Sequence, residues 1–284
     1  MPKWTWGLLA LAAGLLALVG LYAFVEHRSQ AVLAASHPMP ASAVHASTTP
    51  AEITYGAHLV QVADCAGCHG ADLAGRSLSV SGSVVDAPNL TIASRRLSDP
   101  QLDAAIRRGL RPDGTSELAM PSQAFARLTD DETAAILGYL RSLPTKGALA
   151  SQPVPGFMLR ANLLLGVFRT EPQKLAAAKS PVDAGPAVAS GRHLASFACA
   201  QCHGADLGGG HGAPGPDLTV RGYYDRAQFH TLMRTGVSPG DRDLELMART
   251  ARMSFSHFSD AEIDQVFDYL TARDRVLASR PVGP

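Results

Sequence analysis

The chain has 284 residues, with 25 Lys and Arg balancing 25 Asp and Glu, so it has no global basic field of the kind that draws a protein to nucleic acid. That length accommodates two domains of roughly 100 residues each plus extensions. Aromatic residues make up only 6%, while Gly (26) and Pro (19) are abundant, and there are four cysteines. A fold this poor in aromatics gains from a large apolar cofactor in its core.

The N-terminus reads Met1-Pro-Lys-Trp-Thr-Trp, then runs without a charge from Gly7 to Val25 and meets Glu26-His27-Arg28. Nineteen residues at ~1.5 Å each span roughly 28 Å, close to the hydrocarbon thickness of a bilayer. Trp4 and Trp6 at one boundary and Tyr22 near the other are placed as interfacial aromatics. A cleaved signal peptide is the rival reading, but its apolar region is ordinarily shorter, about 7–15 residues. Residues 1–28 are therefore expected to be a membrane anchor, and residues 29–50, rich in Ser, Ala, His, Pro and Thr, a flexible tether.

All four cysteines fall in two Cys-x-x-Cys-His runs, Cys65-Ala-Gly-Cys68-His69 and Cys199-Ala-Gln-Cys202-His203. Residues i, i+3 and i+4 share one face of a helical turn, so both thiols and the imidazole point the same way. That is the attachment pattern of a c-type haem: two thioether bonds to the vinyl groups and a histidine under the iron. A zinc site, a redox dithiol or a disulfide would use the cysteines but leaves unexplained why His follows the second Cys both times. Two covalent haems c are expected, with His69 and His203 as proximal ligands. Covalent haem attachment in bacteria places these regions on the far side of the inner membrane, in the periplasm.

The two halves repeat beyond that motif. Gly56-Ala-His58-Leu59 answers Gly191-Arg-His193-Leu194, and Gly70-Ala-Asp-Leu73 answers Gly204-Ala-Asp-Leu207. Ala87-Pro88-Asn89-Leu90-Thr91 matches Gly215-Pro216-Asp217-Leu218-Thr219, and Ile106-Arg107-Arg108-Gly109 matches Met233-Arg234-Thr235-Gly236. Each half closes on a capping box, Thr129-Asp-Asp-Glu132 or Ser259-Asp-Ala-Glu262, that opens a last helix.

This order resembles class I cytochrome c. The whole is similar to membrane-anchored multi-haem cytochromes c, particularly the cytochrome subunit of bacterial membrane-bound alcohol or gluconate dehydrogenases. Those typically carry three haem domains, and this chain has two motifs. The resemblance implies an all-α fold of two tandem class I cytochrome c domains behind an N-terminal transmembrane helix. Domain 1 is expected at 51–146, an interdomain linker at 147–187, domain 2 at 188–277 and a tail at 278–284. It also implies that the backbone carbonyls of Pro88 and Pro216 accept from the proximal histidines.

Met120, in Ala119-Met120-Pro121, is the expected distal ligand of the first haem. In the second half both Met247 and Met253 precede the last helix; Met247 is favoured, and the other is expected to pack in the haem crevice. His58 and His193 read as packing or surface residues. His211 and His257 are ligands only if both methionines fail. Arg107, Arg108 and Arg234 are either propionate partners or solvated surface cations.

The linker carries an apolar run, Phe157 to Phe168, too short and polar to cross a bilayer, which is expected to pack over the domains or against a partner subunit. His/Met ligation fills both axial positions and raises the potential, so single-electron transfer is expected rather than catalysis. The expected route runs from a periplasmic dehydrogenase to quinone or a terminal oxidase. The alternatives are a di-haem subunit of a haem–copper oxidase, or a di-haem enzyme such as a peroxidase or a thiosulfate-oxidising cytochrome.

Overall fold

A computed structural model describes residues 3–148, 155–209, 215–220 and 223–279. The chain is mostly helical. Helix α1 (Lys3–Leu33) is long and apolar enough to cross a membrane, and its apolar residues are exposed over the first two thirds of its length. It continues past the expected anchor boundary, and Val25 and Ser29 near its C-terminal end are buried.

Domain 1 begins with α2 (Pro50–Val62), capped by the Thr49 side chain and opened by Pro50, a residue pre-set for the first helical turn. Then come α3 (Cys65–His69), α4 (Leu90–Arg96), α5 (Asp99–Asp103), a π-turn over Ala104–Arg108, α6 (Ser122–Phe125) and α7 (Asp130–Ser142). The linker contributes α8 (Phe157–Leu164) and α9 (Glu171–Ala177). Domain 2 repeats the plan with α10 (Ala189–Ala198), α11 (Ala200–His203), α12 (Arg226–Thr235), α13 (Leu246–Met253) and α14 (Asp260–Ala278). Both expected capping boxes are formed: Thr129 and Glu132 exchange bonds with each other's backbone N–H, as do Ser259 and Glu262.

One element departs from an all-helical plan. Strands β1 (Arg76–Val80) and β2 (Ser83–Ala87) pair antiparallel across a Ser81-Gly82 turn in which both residues have positive φ, 48° and 73°. That is the two-residue turn whose twist suits a tight hairpin. The hairpin lies in domain 1 between Leu73 and Pro88, where domain 2 has a shorter connection from Leu207 to Pro216.

In each domain the first helix crosses the last at a glycine. A Cβ on Gly56 would strike the Ala135 carbonyl of α7, and one on Gly191 would strike the Gln265 carbonyl of α14. Hydrogen is the only side chain that permits this approach. One apolar cluster of buried residues runs through both domains, from Leu59, Val62 and Ile136 to Phe197, Phe258 and Ile263.

Residues at equivalent positions exchange partners across this contact, the arrangement of an isologous interface. His58 Nε2 meets Glu262 Oε1 at 2.8 Å, and His193 Nε2 meets Glu132 Oε1 at 2.8 Å. The histidines thus neither ligate nor face water freely; each seizes the capping glutamate of the other domain. Tyr55 stacks on His58, its hydroxyl 3.5 Å from Glu132.

The expected tether at 29–50 is not a loose segment. Residues 29–33 belong to α1, and the rest forms a strap along domain 1. His37 N donates to Gly114 O at 2.8 Å, Ala46 N to Asp99 Oδ2 at 3.0 Å and Ser47 N to Ala134 O at 2.9 Å. Val44 is buried against Leu102 and Leu137. Backbone pairing of this kind overrides a composition that otherwise suits a linker.

The linker is ordered as well where it is described. Helix α8 packs on the end of α1: Phe157 stacks on Tyr22 with centroids 5.8 Å apart, and buried Arg160 reaches Glu26 at 3.1 Å and Ser29 at 3.0 Å. Helix α9 docks on domain 1 through Glu171, fully buried, which accepts from Ser122 N at 3.2 Å and from Lys174 Nζ at 2.6 Å. Burial raises the Glu171 carboxyl above its ordinary value, with Lys174 opposing.

Gly191→Ala should therefore lower the stability of the haem-loaded chain by at least about 1–3 kcal/mol, the usual cost of overpacking, read as a lower calorimetric midpoint. The His58–Glu262 contact should be pH-dependent. Its hydrogen bond raises His58 above 6.5, burial opposing. Burial opposes the depression of Glu262 below 4.5, but the bonds from His58 and Ser259 prevail. The raised histidine contributes below pH 6.5 and loses its contribution as pH rises through its folded value. The depressed glutamate contributes above 4.5 and loses its contribution as pH falls through its folded value. His58→Gln should thus cost most, about 0.5–1 kcal/mol, in the window between those limits. Melting profiles of wild type and variant should converge on either side.

Candidate functional site

The site is built twice. In domain 1, α2 ends at Val62, and Asp64 in the left-handed region turns the chain sharply into α3, where Cys65, Cys68 and His69 share one turn. In domain 2, α10 passes almost directly into α11, with Cys199 as the junction. Both turns end on a glycine of positive φ, Gly70 at 84° and Gly204 at 81°, which releases the chain immediately after the histidine.

His69 Nδ1 lies 2.8 Å from the Pro88 carbonyl, and His203 Nδ1 lies 2.7 Å from the Pro216 carbonyl. A carbonyl only accepts, so Nδ1 carries the proton in both rings and Nε2 presents its lone pair. Both histidines are buried, and burial pushes each imidazole below its ordinary value, the proline carbonyl opposing. A neutral ring with a fixed tautomer and a free Nε2 is what metal ligation requires.

The two carbonyls are aimed by different means. In domain 1, Asn89 caps α4 through Thr91 N at 3.0 Å, and its amide donates to Lys146 O at 2.6 Å. In domain 2, Asp217 pairs with Arg273 of α14 at 3.1 Å, and this fully buried guanidinium also donates to Leu207 O at 3.0 Å. Arg273 is a supporting residue that the repeat gives no hint of, because it has no counterpart aligned with it. Gly215 allows the close approach: a Cβ there would come within 2.8 Å of His203 Nδ1.

An open cleft sits over the second turn. Cys199, Cys202, His203, Pro216 and Met247 all line it. Met247 is partly buried against the core; Met253 is 43% exposed, its sulfur 3.4 Å from Arg249 Nε. Met253 thus does not pack in this crevice. Met120 is partly buried in the corresponding loop of domain 1, two residues before Ser122, whose N–H is held by Glu171.

The donor set suits a covalently bound haem: two thiols and an imidazole on one turn, a thioether from another segment, and an apolar lining. Burial pushes the Cys65 and Cys199 thiols up to about 12, so they are not poised as reactive thiolates. Among the described residues no group of three or more His, Cys, Asp or Glu side chains converges as a metal cluster.

The other candidates have structural work. Arg107 binds Asp103, Asp130 at 2.7 Å and the Leu128 carbonyl; Arg234 binds Asp260 at 2.7 Å and the Ser256 and Phe258 carbonyls. Each ties its middle helix to the approach of the last helix. Arg108 and His257 are exposed, and His211 lies outside the described residues.

A family model of cytochrome c matches residues 53–144 and 188–273. The chain is 27% identical to a fructose dehydrogenase cytochrome subunit of Gluconobacter japonicus, over 83% of this chain and 54% of that protein. It is 26% identical to the cytochrome c subunit of a quinone alcohol dehydrogenase of Gluconobacter oxydans, over 81% of this chain and 56% of the relative. The corresponding subunit of Gluconacetobacter polyoxogenes is 29% identical over 52% of this chain and 35% of its own length. The chain thus spans about half the length, or less, of the relatives it matches. With both Cys-x-x-Cys-His turns inside the matched segments, this chain belongs to the cytochrome c family, twice over along its length.

Proposed function

We propose that the chain is a membrane-anchored di-haem electron carrier, working between a periplasmic dehydrogenase and quinone or a terminal oxidase. The observation that carries the reading is the paired geometry of His69 on Pro88 and His203 on Pro216, each histidine following two cysteines on one turn. When bound, the haem supplies a reversible one-electron couple at the iron. The chain's own part is to hold it. Cys65 and Cys68, and Cys199 and Cys202, would attach it covalently; His69 and His203 would offer Nε2, and Met120 and Met247 a thioether, as ligands. A group whose ligands all come from the chain would leave no place for a substrate, which favours transfer over catalysis.

The dehydrogenase partner is supported by the relatives, which are named as cytochrome subunits of fructose and quinone-linked alcohol dehydrogenases. Anchoring in the bacterial inner membrane is supported by α1, whose exposed apolar length matches a bilayer and whose end is locked to the head by Arg160. The common apolar core between the domains supports transfer from one haem to the other within the chain, because it holds the two attachment turns at a fixed separation.

The oxidised, haem-loaded protein should contain two haems per chain, and electron paramagnetic resonance should show both irons low-spin. A stoichiometric high-spin signal in the wild type would overturn the carrier reading in favour of an enzyme. Met247→Ala should convert one of the two irons to high-spin, whereas Met253→Ala should leave both low-spin. The reverse result would transfer the ligand role to Met253.

A further inference from the structure

Asp64 stands immediately before Cys65, at the break between α2 and α3, with φ 54°. Few residues other than glycine accept that conformation, and Asp is among them. Its carboxylate is held across the domain contact. Ser254 of domain 2 donates its hydroxyl to Oδ1 at 2.5 Å, while the Gly67 N–H of the first haem turn donates to the Asp64 main-chain carbonyl at 3.1 Å. A side chain at position 67 would collide with both carboxylate oxygens, which accounts for the glycine inside the first Cys-x-x-Cys run. The second run has Gln201 there, and its amide reaches back across the interface to Ala63 O at 3.0 Å.

The cleft over the second turn is lined by Asp64 together with Cys199, Cys202, His203 and Met247. Domain 1 therefore supplies an acidic group to the wall of a crevice otherwise built by domain 2. The aligned position in domain 2 is Ala198, buried and apolar, so no carboxylate is returned at that position. We propose that Asp64 is a tuning residue for the second haem, its negative charge lowering the reduction potential of the group held at Cys199, Cys202 and His203. The inference rests on the reading that both turns carry haem.

The physical reason is electrostatic. Adding an electron beside a fixed negative charge is disfavoured, and the effect grows where the charge is poorly screened by water. Burial raises the Asp64 carboxyl above its ordinary value, while Ser254, Gly67 and Arg249 hold it back toward ionisation. Burial chiefly raises the thiols of Cys68 and Cys202, and the Asp64 charge adds to both. A duplicated haem site thereby acquires two unequal environments from one unpaired substitution.

The test is a redox titration of the full haem-loaded chain at pH 8, with haem content measured on the same samples. Asp64→Asn keeps the left-handed turn and a partner for Ser254 while removing the charge. The midpoint of the second haem, identified as the one displaced in Met247→Ala, should rise. The expected shift is up to a tenfold change in the reduction equilibrium, about 59 mV for one electron. Ser254→Ala loosens the same contact but keeps the charge, and should not raise that midpoint. Two haems with unmoved midpoints in Asp64→Asn would overturn the inference, as would a rise confined to the first haem. An equal rise in Ser254→Ala would also overturn it, showing that packing rather than charge is responsible. One haem per chain in the wild type would instead sink the two-haem reading, and the inference with it.

Discussion

A hydrogen bond from Nδ1–H of a histidine to the carbonyl of a proline decides the aim of each imidazole, and the surrounding structure is arranged to keep that carbonyl still. Proline fixes its own φ, and the residue after it, Asn89 or Asp217, anchors the loop to the end of the domain. Behind that, the first and last helices must cross closely enough for the haem turn to face the loop. The crossings at Gly56 and Gly191 set that distance.

The two domains share this plan but have diverged in what is attached to it. Domain 1 bears α1, the strap at residues 34–49, the hairpin and both described linker helices. Domain 2 carries its own ion pair, buried Arg273 with the exposed Asp217, in place of the amide network around Asn89. Domain 1 is thus the fixed body held to α1, and domain 2 is mounted on it through the shared core and the reciprocal histidines.

Much of this was legible in the chain because it is repeated. The Cys-x-x-Cys-His turns, loop prolines and capping boxes all recur at matching positions, and chemistry constrains each of them locally. What could not be read depends on partners distant in sequence. His58 and His193 carry no mark of the glutamates they find in the other domain. The strap is written in a composition that usually means a linker, and only its backbone bonds to Ala134 and Gly114 give it a place. The hairpin does have a local signal, alternation around Ser81-Gly82, which the dominant helical pattern overshadows. Met247 and Met253 are separated by burial, a property that neither neighbouring sequence declares.

Glu132 and Glu262 each serve two masters. Each completes the capping box of its helix by accepting from the N–H of Thr129 or Ser259, and each receives a histidine from the opposite domain. Separating the domains would therefore fray the start of both terminal helices at once. Docking and helix initiation become a single cooperative event, and neither half is a wholly independent folding unit even though each contains its own Cys-x-x-Cys-His turn.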